Sequence, residues 1–136
     1  MNNKEINNGK ICPYCGKDSI FVDSAEVYSK SYGMIYLCSP CKAWVGVHKG
    51  TKNALGRLAN SELREAKKEA HFFFDKLWNK KISQGTKKGK ARGNAYVWLS
   101  KELGISLGDT HIGLFDVDIC KKVVGICEPI VIKLKL

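Results

Sequence analysis

No stretch of eighteen apolar residues occurs anywhere in the 136 positions, so no segment is expected to cross a bilayer as a helix. The first twenty residues are rich in asparagine and lysine and lack the apolar core of a secretory leader. An intracellular, cytoplasmic protein without a membrane partner is the expectation. Acidic residues are also scarce, 13 against 23 lysines and arginines, for a formal charge of +10. The excess is local: residues 1–50 carry +2, residues 51–100 carry +8 and residues 101–136 carry none. A basic region of this kind attracts nucleic acid, an anionic membrane or an acidic protein. Disorder is excluded by composition, because 44% of the residues are apolar and 10% aromatic. The length suits one domain, or a metal-stapled module joined to a slightly larger part.

Six cysteines are present, and in a reducing compartment three disulfides are not expected from them. Four fall into two pairs, Cys12-Pro13-Tyr14-Cys15 and Cys38-Ser39-Pro40-Cys41, separated by 22 residues. Two thiolates three positions apart on a tight turn can reach one tetrahedral ion, so Cys12, Cys15, Cys38 and Cys41 predict a single structural zinc. Gly16 supplies the unusual backbone that a turn after the second cysteine needs. A redox dithiol fits less well, since no βαβ pattern surrounds either pair. Four sulfurs close the coordination shell and leave no open position for catalysis, so His48 is not needed as a ligand.

Between the pairs, Ile20-Phe21-Val22 through Val27-Tyr28 and Met34-Ile35-Tyr36-Leu37 are β-prone, with a turn composition over 29–33. A hairpin is expected, with Ala43–Val47 as a third strand. Asn60 or Ser61 is placed to cap a helix running to about Trp78, whose apolar stripe is Leu63, Ala66, Ala70, Phe73, Phe74 and Leu77. Beside that stripe lie Arg64, Lys68, His71 and Asp75. A functional patch of His48, Arg57, Arg64, His71 and Asp75 is one reading of this arrangement; a solvated helix edge with a His71–Asp75 pair is the plainer one.

Residues 80–93 hold Lys80, Lys81, Lys87, Lys88, Lys90 and Arg92, three glycines and no acid. Self-repulsion and glycine entropy predict a mobile loop, either a spacer or an electrostatic arm for phosphates. Asn94 is expected to cap a short helix closed by Gly104, and Asp116 or Asp118 to open another. Cys120 and Cys127 lie on one face of that last helix and read as buried free thiols. The tail from Ile130 to Leu136 has strand composition.

The expected fold is α+β: a zinc ribbon, made of a β-hairpin plus a third strand, packed on a small helical part with a C-terminal edge strand. The expected segments are a ribbon with a short disordered N-terminus over 1–50, an amphipathic helix over 51–79, the basic loop over 80–93 and a helical part over 94–136.

CPYCG at Cys12–Gly16, SYGMIYLC at Ser31–Cys38, VGVHKGT at Val45–Thr51, AHFFFDKLW at Ala70–Trp78, AYVWLSKELGI at Ala95–Ile105 and HIGLFD at His111–Asp116 together resemble a family of small phage and prophage proteins carrying a zinc-finger domain of unknown function. The resemblance implies zinc on the four cysteines and a bacterial host cell, and it brings no activity with it. Three functions are left open. The first is a nucleic-acid-binding accessory protein, for DNA or RNA, using the six loop cations together with Tyr14, Tyr32 and Trp44 on the ribbon. The second is a zinc-stapled modulator that docks on a host transcription, replication or defence protein. The third, a nuclease using His48, His71, Asp75, His111 or Asp116, is disfavoured by the closed metal site.

Overall fold

A computed structural model describes residues 3–136, and the chain divides into two compact units, Met1–Arg64 and Glu65–Leu136. The first begins with a short helix, α1 (Asn3–Asn7), whose Ile6 is buried. An ordered turn therefore stands where a disordered start is expected, because one apolar side chain anchors it. Three antiparallel strands follow in the order β1 (Ile20–Asp23), β2 (Met34–Cys38), β3 (Ala43–Gly46).

The register sets the two faces of this sheet. Phe21 pairs with Tyr36 and Tyr36 with Val45, and the Phe21 and Tyr36 rings stand 4.9 Å apart. On the other face, one residue away in each strand, Ile20, Leu37 and Trp44 form a row. One buried cluster, Cys12, Cys38, Ala43 and Leu58, lies on the Tyr36 and Val45 side, and Ile35 and Leu37 are buried on the other. Val27 and Tyr28 leave the sheet, contrary to the expectation that they end a strand. Asp23 accepts the Ala25 N–H and starts a 3₁₀ turn, while the buried Ser24 hydroxyl accepts the Tyr32 N–H at 2.6 Å. After β3 the chain returns along the strand through isolated bridges at Val47–Ala54 and Trp44–Ala59.

The second unit is helical. Helix α2 (Ser61–Ser83) begins in the first unit, where the Asn60 side chain accepts the Leu63 N–H at 3.0 Å, an N-cap of the expected kind. Ala70, Phe74 and Trp78 are buried along it. Helices α3 (Lys88–Leu103) and α4 (Val117–Leu134) complete the unit, with Asp116 capping α4 through the Ile119 N–H at 2.9 Å. Ile112 and Phe115, in the linker between α3 and α4, are buried, so that linker plugs an apolar gap.

Two expectations fail here. The basic loop over 80–93 is helix at both ends, since α2 continues to Ser83 and α3 starts at Lys88, before Asn94. Lysine, alanine and arginine are good helix formers, and buried Ala91, Tyr96 and Leu99 hold α3 down by packing. Only residues 84–87 link the helices. They form a glycine-terminated cap: Gly85 takes φ +100°, its N–H reaches the Ile82 carbonyl and the Thr86 N–H reaches that of Lys81. The tail is not a strand either. Cys120, Val123, Cys127 and Val131 are buried with helical spacing, and that amphipathic period overrides the β-branched composition of Ile130–Ile132.

Candidate metal centre and cationic surface

The backbone around the four cysteines is two turns of similar shape. In the first, the Gly16 N–H donates to the Cys12 carbonyl and the Cys12 N–H to that of Lys17, both at 2.9 Å. Gly16 takes φ +76°, the conformation for which glycine is needed. The second turn joins β2 to β3, and there Lys42 occupies the corresponding position at φ +51°. A lysine held in this region costs backbone energy, which the sequence alone did not signal. Strand pairing between Cys38 and Ala43 closes that turn.

These turns bring the Cys12, Cys15, Cys38 and Cys41 sulfurs to within 4.8 Å of one another. The Cys15 and Cys38 sulfurs are 3.7 Å apart. Sulfurs on a tetrahedron with metal–sulfur bonds of about 2.3 Å stand about 3.8 Å apart. The Cys15–Cys38 spacing matches that value and the other sulfurs lie close by, so the donor set suits one ion of zinc size. Cys12 and Cys38 are buried, Cys41 is half-buried and Cys15 faces solvent.

The thiols are tuned unequally. The Lys17 backbone N–H facing Cys15 is the main influence that pulls its thiol down to about 7. Burial, followed by the neighbouring Cys38 thiol, pushes Cys41 up to about 12. Burial likewise raises Cys12, against backbone N–H groups of Tyr14 and Cys15 that favour its thiolate. Four thiolates crowded in this way call for a cation to hold them together. Cys120 and Cys127 lie elsewhere, buried in the helical unit, with thiols pushed up to about 11 and about 12 by burial.

The cations of residues 80–93 fall in the helical unit. Lys80, Lys81 and Lys90 line one open groove of about 730 Å³ with Trp78, Trp98 and Ile130. Lys87 stands at the N-cap of α3, with Lys88, Lys90 and Arg92 in its first turns, where the helix dipole already favours negative charge. Among the described residues none of the six forms an ion pair with a carboxylate. Arg92 stacks over Tyr96 at 5.0 Å.

The residues considered as a second patch have separate occupations. In the helical unit His71 Nδ1 lies 3.5 Å from the Asp75 carboxylate, which also accepts the Trp78 indole N–H at 2.9 Å. In the first unit Arg64 stacks on Trp44 and donates to the Ala59 carbonyl. The Arg57 Nε is buried without a hydrogen-bond partner. The His48 backbone closes a turn with Asn53 and Thr51, and its side chain is exposed. His111 packs against Tyr96, while Asp116 is committed to capping α4. No helix among the described residues is long and apolar enough to cross a membrane.

A three-stranded sheet whose two cysteine turns converge on one metal position, followed by helices, defines a small α+β metal-binding protein of the zinc-ribbon kind. The chain belongs to the DUF3268 family of zinc-finger-containing domains, whose model matches residues 8–129. No curated protein and no solved structure matches the chain.

Proposed function

We propose that this protein is a zinc-stapled accessory factor, of the phage type suggested by its motifs, that binds nucleic acid through the cations at the junction of α2 and α3. Zinc held by Cys12, Cys15, Cys38 and Cys41 gives the small sheet the stability its apolar core lacks. It takes no part in chemistry, because four protein sulfurs fill its coordination shell.

The observation that carries the reading is the clustering of cations without an ion-paired acid among the described residues, Arg92 alone feeling a carboxylate, that of Asp75. No aspartate or glutamate lies between Asp75 and Glu102, and the cap at Gly85 turns the chain so that Lys80 and Lys81 line the same groove as Lys90. Concentrating like charges costs stability, and a phosphate backbone offsets that cost by releasing its counterions. A set of cations held by helices also loses less conformational freedom on binding than the same cations on a loose loop.

The test is fluorescence anisotropy with labelled DNA and RNA, comparing the native protein with a variant in which the five lysines and Arg92 are replaced by glutamine. Binding by the native protein at near-physiological salt and its loss in the variant support the reading. Equal binding by both proteins, or by neither, overturns it and turns attention to an acidic host protein as the partner.

A further inference from the structure

The ribbon carries an aromatic array that runs from half-buried Trp44 out to exposed Tyr28 and Tyr32. One buried cluster of the first unit, Cys12, Cys38, Ala43 and Leu58, lies on the Tyr36 face of the sheet, and Ile35 and Leu37 are buried on the other face. Trp44 is in the opposite row. Its indole N–H donates to the Tyr28 hydroxyl at 3.0 Å, and its ring meets that of Tyr28 edge to face at 5.9 Å. Tyr28 in turn meets Tyr32 edge to face at 5.5 Å. A cation stands at each end: the Arg64 guanidinium lies 3.7 Å over the Trp44 ring, and the Lys30 ammonium 5.4 Å over the Tyr32 ring. All five residues belong to the first unit.

Packing does not explain the outer members of this array. Tyr32 is 68% exposed and Tyr28 44%, so both keep much of their ring surface in water. Nor are they loose. The buried Ser24 hydroxyl holds the Tyr32 backbone N–H, and Asp23 accepts from Ser31 at 2.9 Å, so the loop bearing Tyr32 is fastened on both sides. Pre-ordered aromatic rings with cations at both ends suit a ligand that is flat, apolar on its faces and anionic along its edge.

We infer that Lys30, Tyr32, Tyr28, Trp44 and Arg64 form a stacking platform for unpaired bases, so that the nucleic acid bound by this protein is single-stranded. The inference rests on the nucleic-acid reading above and narrows it. In a duplex the base faces are covered by their neighbours, and only the cations would find partners. In a single strand a base is free to lie on Tyr32, with the adjoining phosphates near Lys30 and Arg64. Every base has such a face, so little sequence preference accompanies the platform.

The experiment compares the native 136-residue chain with Tyr32→Ala, Tyr32→Phe and the double variant Tyr28→Leu/Tyr32→Ala, on single- and double-stranded oligonucleotides of equal length. Bound metal and amide spectra check that each variant keeps the ribbon, and 2-aminopurine in the single strand reports stacking. The inference predicts roughly tenfold weaker single-strand binding for Tyr32→Ala, a further loss in the double variant, and near-native binding by Tyr32→Phe. Duplex binding and the salt dependence stay unchanged. If the alanine variants bind single strands as the native protein does while the six-cation variant does not, the platform is refuted and the cationic surface stands. Equal losses on single strand and duplex also refute it. If the native protein binds no nucleic acid, the wider reading falls and takes the platform with it.

Discussion

Withdrawing the metal is predicted to unfold one unit of this protein and spare the other. In Met1–Arg64 two of the four members of one buried cluster, Cys12 and Cys38 beside Ala43 and Leu58, belong to the cysteine set that suits a metal, and the other buried apolar side chains, Ile6, Ile35, Leu37, Ala59 and Leu63, are few. A unit of this size buries only about 60% of the surface of its unfolded chain and is marginal without a staple. Zinc on four thiolates is worth about 10–16 kcal/mol near neutral pH, as much as or more than the roughly 5–15 kcal/mol that holds a typical domain folded. Loss of the ion therefore exceeds what the sheet has in reserve. Glu65–Leu136 draws its stability from Phe74, Leu99, Phe115 and Val123, none of them near a ligand in sequence, and its helices are expected to persist. The assay is a titration with a strong zinc chelator, followed by amide NMR and far-UV circular dichroism. Resonances of Leu37 and Trp44 should collapse into the unfolded region as one equivalent of zinc is released, while helical ellipticity is largely retained. Cys12→Ser should reproduce that state without chelator. A dispersed Trp44 resonance in demonstrably metal-free protein would refute the reasoning.

Three further outcomes follow from the helical unit. Phe74, fully buried and 4.7 Å from the Tyr96 ring, should cost about 3–5 kcal/mol when replaced by alanine, read as a lower denaturation midpoint for the helical signal with the metal still bound. Burial raises the Asp75 carboxyl, but hydrogen bonds from His71 and the Trp78 indole outweigh it and hold the group below its ordinary value. Its contribution is thus complete above about pH 4, the unfolded value, and is lost as pH falls through the lower folded one. Asp75→Asn should flatten that acid limb of the stability curve and leave the neutral region nearly unchanged. With its thiol at about 11, Cys120 is thiolate in only on the order of one molecule in a thousand at pH 8. Cys120 and Cys127 should therefore resist iodoacetamide in the native protein and react on unfolding, as mapped by mass spectrometry; prompt labelling of the folded chain would contradict their burial.

The parts of this molecule that were legible in the sequence are those in which local chemistry leaves few choices. Two C-x-x-C pairs specify a metal position whatever lies between them, and the three strands follow from β-prone runs broken by turn residues. Asn60 and Asp116 announced their helices because a short side chain with an oxygen is what a helix start requires, and Gly104 closes α3 at φ +69° as a terminal glycine should. At the junction of α2 and α3 charge repulsion over 80–93 argues for a loop, yet the burial of Ala91 within that segment and of Tyr96 beyond it holds the chain in helix. The tail misled for a similar reason: Ile130–Ile132 looks like a strand, yet the burial of Cys127 and Val131 fixes a helical period. The Tyr28–Trp44 contact joins residues sixteen apart, and it depends on Tyr28 standing outside the strand that its β-prone composition suggests. Lys42 at positive φ carried no sequence signal, since lysine seldom takes that backbone.

The central claim, phosphate binding by the α2–α3 cations, is tested most directly by measuring single-strand affinity against salt concentration for the native protein and the six-cation variant. If all six cations meet phosphates, the slope of log affinity against log salt should be steeper by about 4 in the native protein than in the variant, which keeps only the small slope due to Lys30 and Arg64. A native slope near zero, or a steep slope that survives in the variant, would contradict the account.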